Sequence, residues 1–358
     1  MTKLRRTVLI SCILDVILIC CIFFKSICAS QAKAGSALFV FGDSTVDCGN
    51  NNQLFTMARA TFLPFGRDFD THTPTGRFTN GRLSIDFLVP GYLTAGDNIL
   101  QGVNFASAGS GIFNSTGSIF GQHIPLQEQV RYFGNVRNRL IARLGKEATS
   151  NLLANSILYI STGSNDYVNN YLLPISPLYL EYTSDEFKEK LISILAQQIE
   201  LLYDFGARKI VIASFSPFGT VPSVMERYGN ESEKGFSFLN VFAQEYNAAL
   251  FLKLLELRVK LPGSYLIYNN VYNTIQDIIL NPQQYGIVHT QTSCCGMGRF
   301  GGAIPCLPKL PVCSNASQYV FWDEFHPTSS TYSIIAQRFW SGSIADSFPI
   351  NIQELATL

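Results

Sequence analysis

The segment Ala37-Leu-Phe-Val-Phe-Gly-Asp-Ser44 joins an uninterrupted apolar run to three small or polar residues. An apolar run without alternating polar positions is typical of a strand that is covered on both faces of a parallel sheet. In open α/β sheets, ligands bind beyond the carboxyl ends of the strands. The segment therefore predicts a buried strand at 37–41 and, directly after it, residues of a functional site.

Four further apolar runs follow the same pattern, at 102–106, 157–161, 209–215 and 265–268. Helical patterns lie between them. Residues 186–205 carry apolar side chains on one face, and residues 236–261 end before a Pro-Gly pair. Strands alternating with helices predict an α/β fold with a five-stranded parallel sheet between two helix layers. No repeat or composition break divides residues 35–358, so we expect a single domain.

The composition limits the class of protein. Of the 358 residues, 47% are hydrophobic and 15% are charged, so the chain can bury a large core. The 26 basic and 26 acidic residues give a formal net charge of zero, and the basic residues form no long run. A nucleic-acid partner is therefore not expected.

The N-terminus has the pattern of a secretory leader. Basic residues at 3, 5 and 6 precede an apolar run at 8–24, and small residues follow at 28–30 and 32–34. We expect a signal peptide at 1–34, cleaved between about 29 and 34, and a secreted protein without a stable membrane span. The alternative is a membrane anchor, which the short run and Asp15 within it disfavour.

Cysteine usage agrees with export to an oxidising compartment. Beyond the leader, four cysteines are crowded into one short segment: Cys294, Cys295, Cys306 and Cys313. Local disulfides are expected there, with the connectivity open and one thiol left over, since Cys48 makes the count odd. A zinc site is the alternative, but there is no Cys-x-x-Cys pair and His289 lies outside the usual ligand spacing, so we expect no metal. Three N-glycosylation sequons fit the same route: Asn114, Asn230 and Asn315.

Ser44 is the candidate nucleophile at the end of the first strand. A serine hydroxyl needs a base to take its proton, and the alternative role here is a helix N-cap. The base is sought among four histidines, of which three have no informative neighbours: His72, His123 and His289. His326 differs because Asp323, three residues earlier, can accept its Nδ1 proton and leave Nε2 free to face a serine.

Donors for a developing oxyanion are expected after the other strands. Asn165 follows the third strand, and the main-chain N–H groups of Ser44 and of the Ala108–Gly109 turn are further candidates. The alternative for Asn165 is a turn in which the side chain bonds its own backbone.

Taken together, several ordered blocks resemble the plant branch of the GDSL esterase/lipase family, within the SGNH hydrolases. The blocks lie at 41–52, 74–82, 102–107, 162–167, 206–209 and 294–296. The resemblance implies a flavodoxin-like three-layer α/β/α sandwich and hydrolysis of carboxylic esters through an acyl-enzyme, without metal or organic cofactor. It assigns Ser44 as nucleophile, His326 as general base and then acid, Asp323 as the orienting carboxylate, and Asn165 as an oxyanion donor.

Three positions depart from that family's pattern. Ala108 stands where glycine is common, Thr220 where cysteine is common, and Thr45 where the motif has leucine. Because the donor at 108 is a main-chain N–H, alanine should serve unless the backbone needs a positive φ.

The expected substrate is a small-molecule or lipid ester. Six apolar loop residues hint at an acyl or aromatic group, although core packing explains them equally well: Phe62, Phe65, Ile112, Phe113, Ile119 and Phe120. Two alternatives to hydrolysis remain open on the sequence. An acyltransferase would use the same acyl-enzyme, and a binding protein would use the same fold without catalysis.

Overall fold

The computed structural model describes residues 37–86, 99–173, 176–229 and 237–358. The expected signal peptide and the sequon at Asn230 therefore lie outside the described residues. The strands are β1 Leu38–Gly42, β2 Gly102–Asn104, β3 Ile157–Ser161, β4 Lys209–Ala213, β5 Tyr265–Asn269, β6 His289–Ser293, β7 Tyr319–Phe321 and β8 Ser347–Phe348.

The central sheet has six strands in the order β2-β1-β3-β4-β5-β8. The first five are parallel, with β1 paired to β3 from Leu38↔Ile157 to Gly42↔Ser161, and β8 runs antiparallel to β5. The predicted five-stranded parallel sheet is confirmed. The edge strand β8 was not predicted, because two residues are too short to produce a pattern. β6 and β7 form a separate two-stranded sheet.

Helices connect the strands. They are α1 Leu126–Leu144, α2 Lys146–Asn155, α3 Ser164–Asp166, α4 Leu178–Glu181, α5 Ser184–Asp204, α6 Pro222–Tyr228, α7 Ser237–Lys260, α8 Val271–Leu280, α9 Ser329–Ser341 and α10 Ile352–Thr357. A five-residue π-helical segment, Tyr167–Tyr171, continues directly from α3. Across these ranges, no helix is long and apolar enough to cross a membrane.

Alternate side chains of each strand point to opposite faces of the sheet. On one face, Phe39 and Phe41 pack against Phe133 of α1, with ring centroids 5.0 and 5.7 Å apart, in a cluster that α5 and α7 complete. On the other face, Val40 belongs to a smaller cluster with Leu355 of α10, against which Val271 of α8 packs. The sheet is therefore covered on both faces, as its continuous apolar strands predict.

Gly42 brings the end of β1 close to β3. A Cβ atom at this position would lie 2.0 Å from the Ser161 carbonyl oxygen, and φ is +149°, so only glycine fits. The buried Gln129 of α1 fixes both peptide groups of this residue, since its Oε1 accepts from the Gly42 N–H (2.8 Å) and its Nε2 donates to the Gly42 carbonyl (2.9 Å). The turn that carries Ser44 therefore starts from a fixed point.

Candidate active site

Three residues predicted from the sequence meet at the carboxyl edge of the sheet. The Ser44 Oγ lies 2.7 Å from His326 Nε2, although the two residues are 282 positions apart in the chain. His326 Nδ1 lies 2.8 and 2.9 Å from the two carboxylate oxygens of Asp323. A carboxylate can only accept, so Nδ1 carries the proton and the Nε2 lone pair faces the serine hydroxyl. The arrangement is that of a serine nucleophile with an oriented base.

The turn from Asp323 to His326 is organised by the aspartate itself. Asp323 Oδ1 also accepts the main-chain N–H groups of Phe325 (2.9 Å) and His326 (2.7 Å). The Trp322 N–H donates to the His326 carbonyl at 2.7 Å and closes the turn. Asp323 is 1% exposed and His326 is 6% exposed. A short Asp-x-x-His spacing therefore suffices to build a buried pair with a fixed orientation.

The charges around His326 set its basicity. Burial lowers the pKa of the imidazole, and this is the largest single effect. The charge and hydrogen bond of Asp323, together with the charges of Glu324 and Asp43, act in the opposite direction and outweigh it. The pKa of His326 is therefore raised above its ordinary value. The neighbouring Glu324 is half-buried, and its pKa is raised to about 7 by desolvation and by the charge of Asp323. Its Oε2 accepts the Cys306 N–H at 3.2 Å.

Asp43 holds the turn just before the nucleophile. Its Oδ1 accepts both the N–H (3.0 Å) and the hydroxyl (2.7 Å) of Thr45, and its Oδ2 accepts the Ser164 hydroxyl at 3.3 Å. Burial raises the pKa of this carboxyl, against those hydrogen bonds and the charge of His326. Thr45, where the family motif has leucine, therefore contributes a hydrogen bond that leucine cannot make.

Two of the main-chain donors suggested by the sequence are available. Within the described residues, neither the Ser44 N–H nor the Gly109 N–H has a hydrogen-bond acceptor, and both residues line the same cavity. Gly109 has φ +79°, and a Cβ there would lie 3.0 Å from the Phe120 ring. Ala108, in contrast, is not among the residues with positive φ, so alanine is compatible with this backbone.

The Ala108 N–H requires a correction to the expected set of donors. It donates to Asp47 Oδ2 at 3.0 Å, so it is not free to bind an oxyanion. The same carboxylate accepts the N–H groups of Gly49 (2.8 Å) and Asn50 (2.7 Å), and burial raises the pKa of Asp47 to about 6 in spite of these bonds. Asp47 thus ties the turn after β2 to the loop after β1, which the sequence alone did not reveal.

Asn165 lies at the start of α3 with its amide held from two sides. Its Nδ2 donates to the Ser110 carbonyl at 3.0 Å, and its Oδ1 accepts from Asn169 Nδ2 at 2.8 Å. Both contacts agree on one orientation of the amide, which leaves the second N–H for a ligand. Asn165 and Asn169 both line the cavity beside Ser44. The supporting role of Asn169 was missed, although its i+4 position on a helical turn was a usable signal.

These groups open into a single cavity of about 460 Å³. Its walls are mostly apolar and include several aromatic side chains: Phe62, Phe65, Phe78, Phe120, Phe215 and Phe218. Of the six apolar loop residues considered above, Phe62, Phe65 and Phe120 thus line the cavity. The other three do not, since Ile112 and Phe113 pack in the main core and Ile119 is exposed.

The cysteine-rich segment braces the turn that carries Asp323. Disulfides join Cys294 to Cys313 and Cys295 to Cys306, as local pairing predicted, and among the described cysteines Cys48 carries the free thiol. The N–H groups of Cys294 and Cys295 donate to the carbonyls of the two residues before Asp323, at 3.0 and 2.7 Å. The two sequons within the described residues, Asn114 and Asn315, are on exposed side chains.

Comparison with known proteins agrees with this geometry. The sequence model of the GDSL-like Lipase/Acylhydrolase family matches residues 38–339. A GDSL esterase/lipase of Arabidopsis thaliana is 41% identical over 359 residues, covering 96% of this chain and 97% of the relative. GDSL esterase/lipase 7 of the same plant is 41% identical over 337 residues, covering 90% and 92%. With a match over most of the chain and relatives this similar, the protein belongs to the GDSL-like lipase/acylhydrolase family.

Proposed function

We propose that this protein hydrolyses carboxylic esters through an acyl-enzyme formed on Ser44. The observation that carries the proposal is the chain of contacts from Ser44 Oγ through both ring nitrogens of His326 to Asp323, with distances of 2.7 and 2.8 Å. Membership of the GDSL-like lipase/acylhydrolase family supports the same class of reaction.

The residues take the following parts in the reaction. His326 Nε2 removes the hydroxyl proton as Ser44 Oγ attacks the ester carbonyl carbon, and Asp323 stabilises the imidazolium that forms. The carbonyl oxygen becomes an oxyanion, bound by the N–H groups of Ser44 and Gly109 and by the Asn165 amide. When the intermediate collapses, His326 returns the proton to the leaving alcohol. Water then attacks the acyl carbon while His326 takes one of its protons, and His326 returns that proton to Ser44 Oγ as the acyl–Oγ bond breaks and the acid leaves.

The cavity supports an ester with an apolar part. Phenylalanine side chains make up much of its wall, and a volume of about 460 Å³ suits a small ester or part of an acyl chain. Polar groups for orienting the ester stand beside Ser44, namely His326 and the Asn165 amide, which suits a site where apolar contacts bind the ligand and hydrogen bonds orient it.

Secretion belongs to the same proposal. The leader pattern at 1–34, the two disulfides and the exposed sequons at Asn114 and Asn315 together suit an oxidising secretory route. Expression of the full chain in plant cells should give a cleaved protein in the medium whose mass falls after enzymatic deglycosylation. A protein that stays inside the cell with its first 34 residues intact would contradict this part.

The test of the chemistry is removal of the nucleophile. Ser44→Ala should abolish turnover of p-nitrophenyl butyrate, with a loss of about 10⁴-fold or more, because no other group can form the acyl-enzyme. Ser150→Ala is a matched control, since Ser150 is exposed on α2 and its hydroxyl bonds only the Lys146 carbonyl. Both variants should unfold at the temperature of the parent within a few degrees. Retained hydrolysis by the folded Ser44 variant would exclude the proposal.

A further inference from the structure

One cationic side chain lines the cavity and has no partner among the residues that the structure describes. Arg59 is the single lysine or arginine among the residues that line it. Its Nε is shielded from solvent without a hydrogen-bond acceptor, and within the described residues no carboxylate pairs with its guanidinium. A shielded N–H without an acceptor is unfavourable, and more so in a charged group. An anionic ligand in the cavity would pair with a guanidinium that no described carboxylate neutralises.

The carboxylates of the cavity do not supply a partner for Arg59. Asp43 accepts from the neighbouring Thr45 and from Ser164, Asp323 accepts from His326 and its own turn, and Glu324 accepts the Cys306 N–H. Each acidic group therefore already has donors of its own. The charge of the Arg59 guanidinium remains available to a ligand.

Arg59 also lies beside the turn that holds the Gly109 donor. The side-chain amide of Asn51 donates to the carbonyls of both Ala58 (2.9 Å) and Ala108 (3.0 Å), so one amide holds the two segments together. A Cβ built on Gly109 would come within 3.6 Å of the Ala58 Cβ. The residue after Ala58 is therefore fixed next to the oxyanion site rather than at a distant part of the wall.

We propose that Arg59 binds an anionic oxygen group of the ester substrate, a carboxylate or a phosphate. This deepens the proposed function and rests on it. The preferred substrate is then an amphiphilic ester, with an apolar part against the phenylalanine wall and an anionic group on the guanidinium. Guanidinium groups bind carboxylate and phosphate through two parallel N–H···O bonds, and such a pair would neutralise the charge of Arg59 in the cavity.

The experiment compares esters that differ only in charge. One pair is the butyrate ester of 4-hydroxyphenylacetate and its methyl ester, in which the charge lies on the alcohol. A second pair is the p-nitrophenyl monoester of succinate and its methyl ester, in which the charge lies on the acyl part. A benzyl phosphate analogue of the first pair then distinguishes binding of phosphate from binding of carboxylate. In the parent protein, kcat/KM should favour the anionic member of at least one pair, and added salt should weaken that preference.

Substitution of Arg59 then tests the residue. Arg59→Gln should lower the anionic-to-neutral ratio of kcat/KM about 10- to 100-fold and leave the neutral ester within about threefold of the parent. Arg59→Lys should keep part of the ratio, because it keeps the charge but loses the paired geometry. Arg131→Gln is the control, since it removes one positive charge from the exposed surface of α1.

Each other result overturns the proposal. An equal fall for both members of a pair would make Arg59 a structural or catalytic residue, and an unchanged ratio would show that it binds no anion. If Arg59→Gln does not fold, the parent protein still decides, since the absence of any salt-sensitive preference in all pairs refutes the idea. Failure of the proposed function is separate, because then the neutral esters would not be hydrolysed in a Ser44-dependent way.

Discussion

Asp323→Asn should remove most of the catalytic activity while the turn that carries His326 still folds. In the parent, Oδ1 accepts the N–H groups of Phe325 and His326, whereas Oδ2 contacts only His326 Nδ1, at 2.9 Å. The amide oxygen of the variant can keep the two main-chain bonds, and the amide NH₂ then takes the position of Oδ2. Nδ1 then lies beside this NH₂ and beside the amide oxygen, which already accepts two main-chain N–H groups, so the tautomer in which Nδ1 accepts from the NH₂ is favoured. The ring proton therefore moves to Nε2, where it faces Ser44 and prevents that nitrogen from acting as a base.

The magnitude follows from this exchange of tautomers. The equivalent change in a serine protease lowers kcat about 10⁴-fold, and we expect a similar loss here because the contacts are of the same kind. At about 1.4 kcal/mol per tenfold, this corresponds to about 5 kcal/mol of transition-state stabilisation. The cost in folding is much smaller, about 2 kcal/mol, since two hydrogen bonds to a charged acceptor become bonds to a neutral one.

The assay is a pH profile of kcat/KM for a neutral p-nitrophenyl ester. In the parent, the net pKa of His326 is raised, so activity should fall as the pH drops through a value above the ordinary 6.5. Without the charge of Asp323, less opposes the lowering of the His326 pKa by burial. The acidic limb of the residual activity should therefore move to lower pH. Asp185→Asn, an exposed change at the start of α5, is the control. More than a tenth of the parent activity in Asp323→Asn, or an unmoved limb, would refute the reasoning.

Two further predictions concern residues behind the site. Asn169→Ala should lower kcat about tenfold with little change in KM, because the Asn165 amide loses the hydrogen bond to its Oδ1 that fixes its orientation. Asn165→Ala should lower kcat by about 10²–10³, because the oxyanion donor itself is lost. Equal activities of Asn169→Ala and the parent would contradict the role of Asn169. Burial raises the pKa of Asp47 from 3.8 to about 6. Between about pH 4 and 6 the folded state therefore binds this proton more tightly than the unfolded state does, so the free energy of unfolding falls as the pH rises through that window. Asp47→Asn should flatten the slope of the free energy of unfolding in that window, as urea titrations at a series of pH values would show, and an unchanged slope would refute the shift.

Local patterns in the sequence predicted most of the fold. The five parallel strands are visible because each is a continuous apolar run. The bounds of the two predicted helices, α5 and α7, are within two residues of those expected, whereas the 19-residue helix α1 was not predicted. The start of α5 lies earlier than the apolar pattern because Thr183 and Glu186 form a capping box, which extends the helix over polar residues.

The site was predictable only where its parts follow strand ends or lie close in sequence. Asp323 and His326 are three residues apart, so their contact is local, and Ser44 directly follows β1. The partner of the Ala108 N–H could not be foreseen, because it depends on Asp47, a carboxylate 61 positions away. The division of the apolar loop residues between core and cavity likewise depends on tertiary packing, since Phe62 and Ile112 look alike in sequence.

The role proposed for Arg59 likewise could not be predicted from the sequence. In sequence it is one arginine among 26 basic residues, without a motif of its own. The proposal depends on the surroundings of Arg59 in the fold. Arg59 lines a mostly apolar cavity whose acidic residues already accept from other donors, and its shielded Nε has no described acceptor. Such a feature becomes visible only when the partners of every polar group are known.

The most direct measurement is the rate at which a fluorophosphonate labels Ser44, followed by peptide mass spectrometry. We predict a single labelled residue, Ser44, whose labelling slows at low pH as His326 becomes protonated and falls by orders of magnitude in His326→Ala. Label on another serine, or labelling of Ser44 at the same rate without His326, would contradict activation of this hydroxyl by that imidazole.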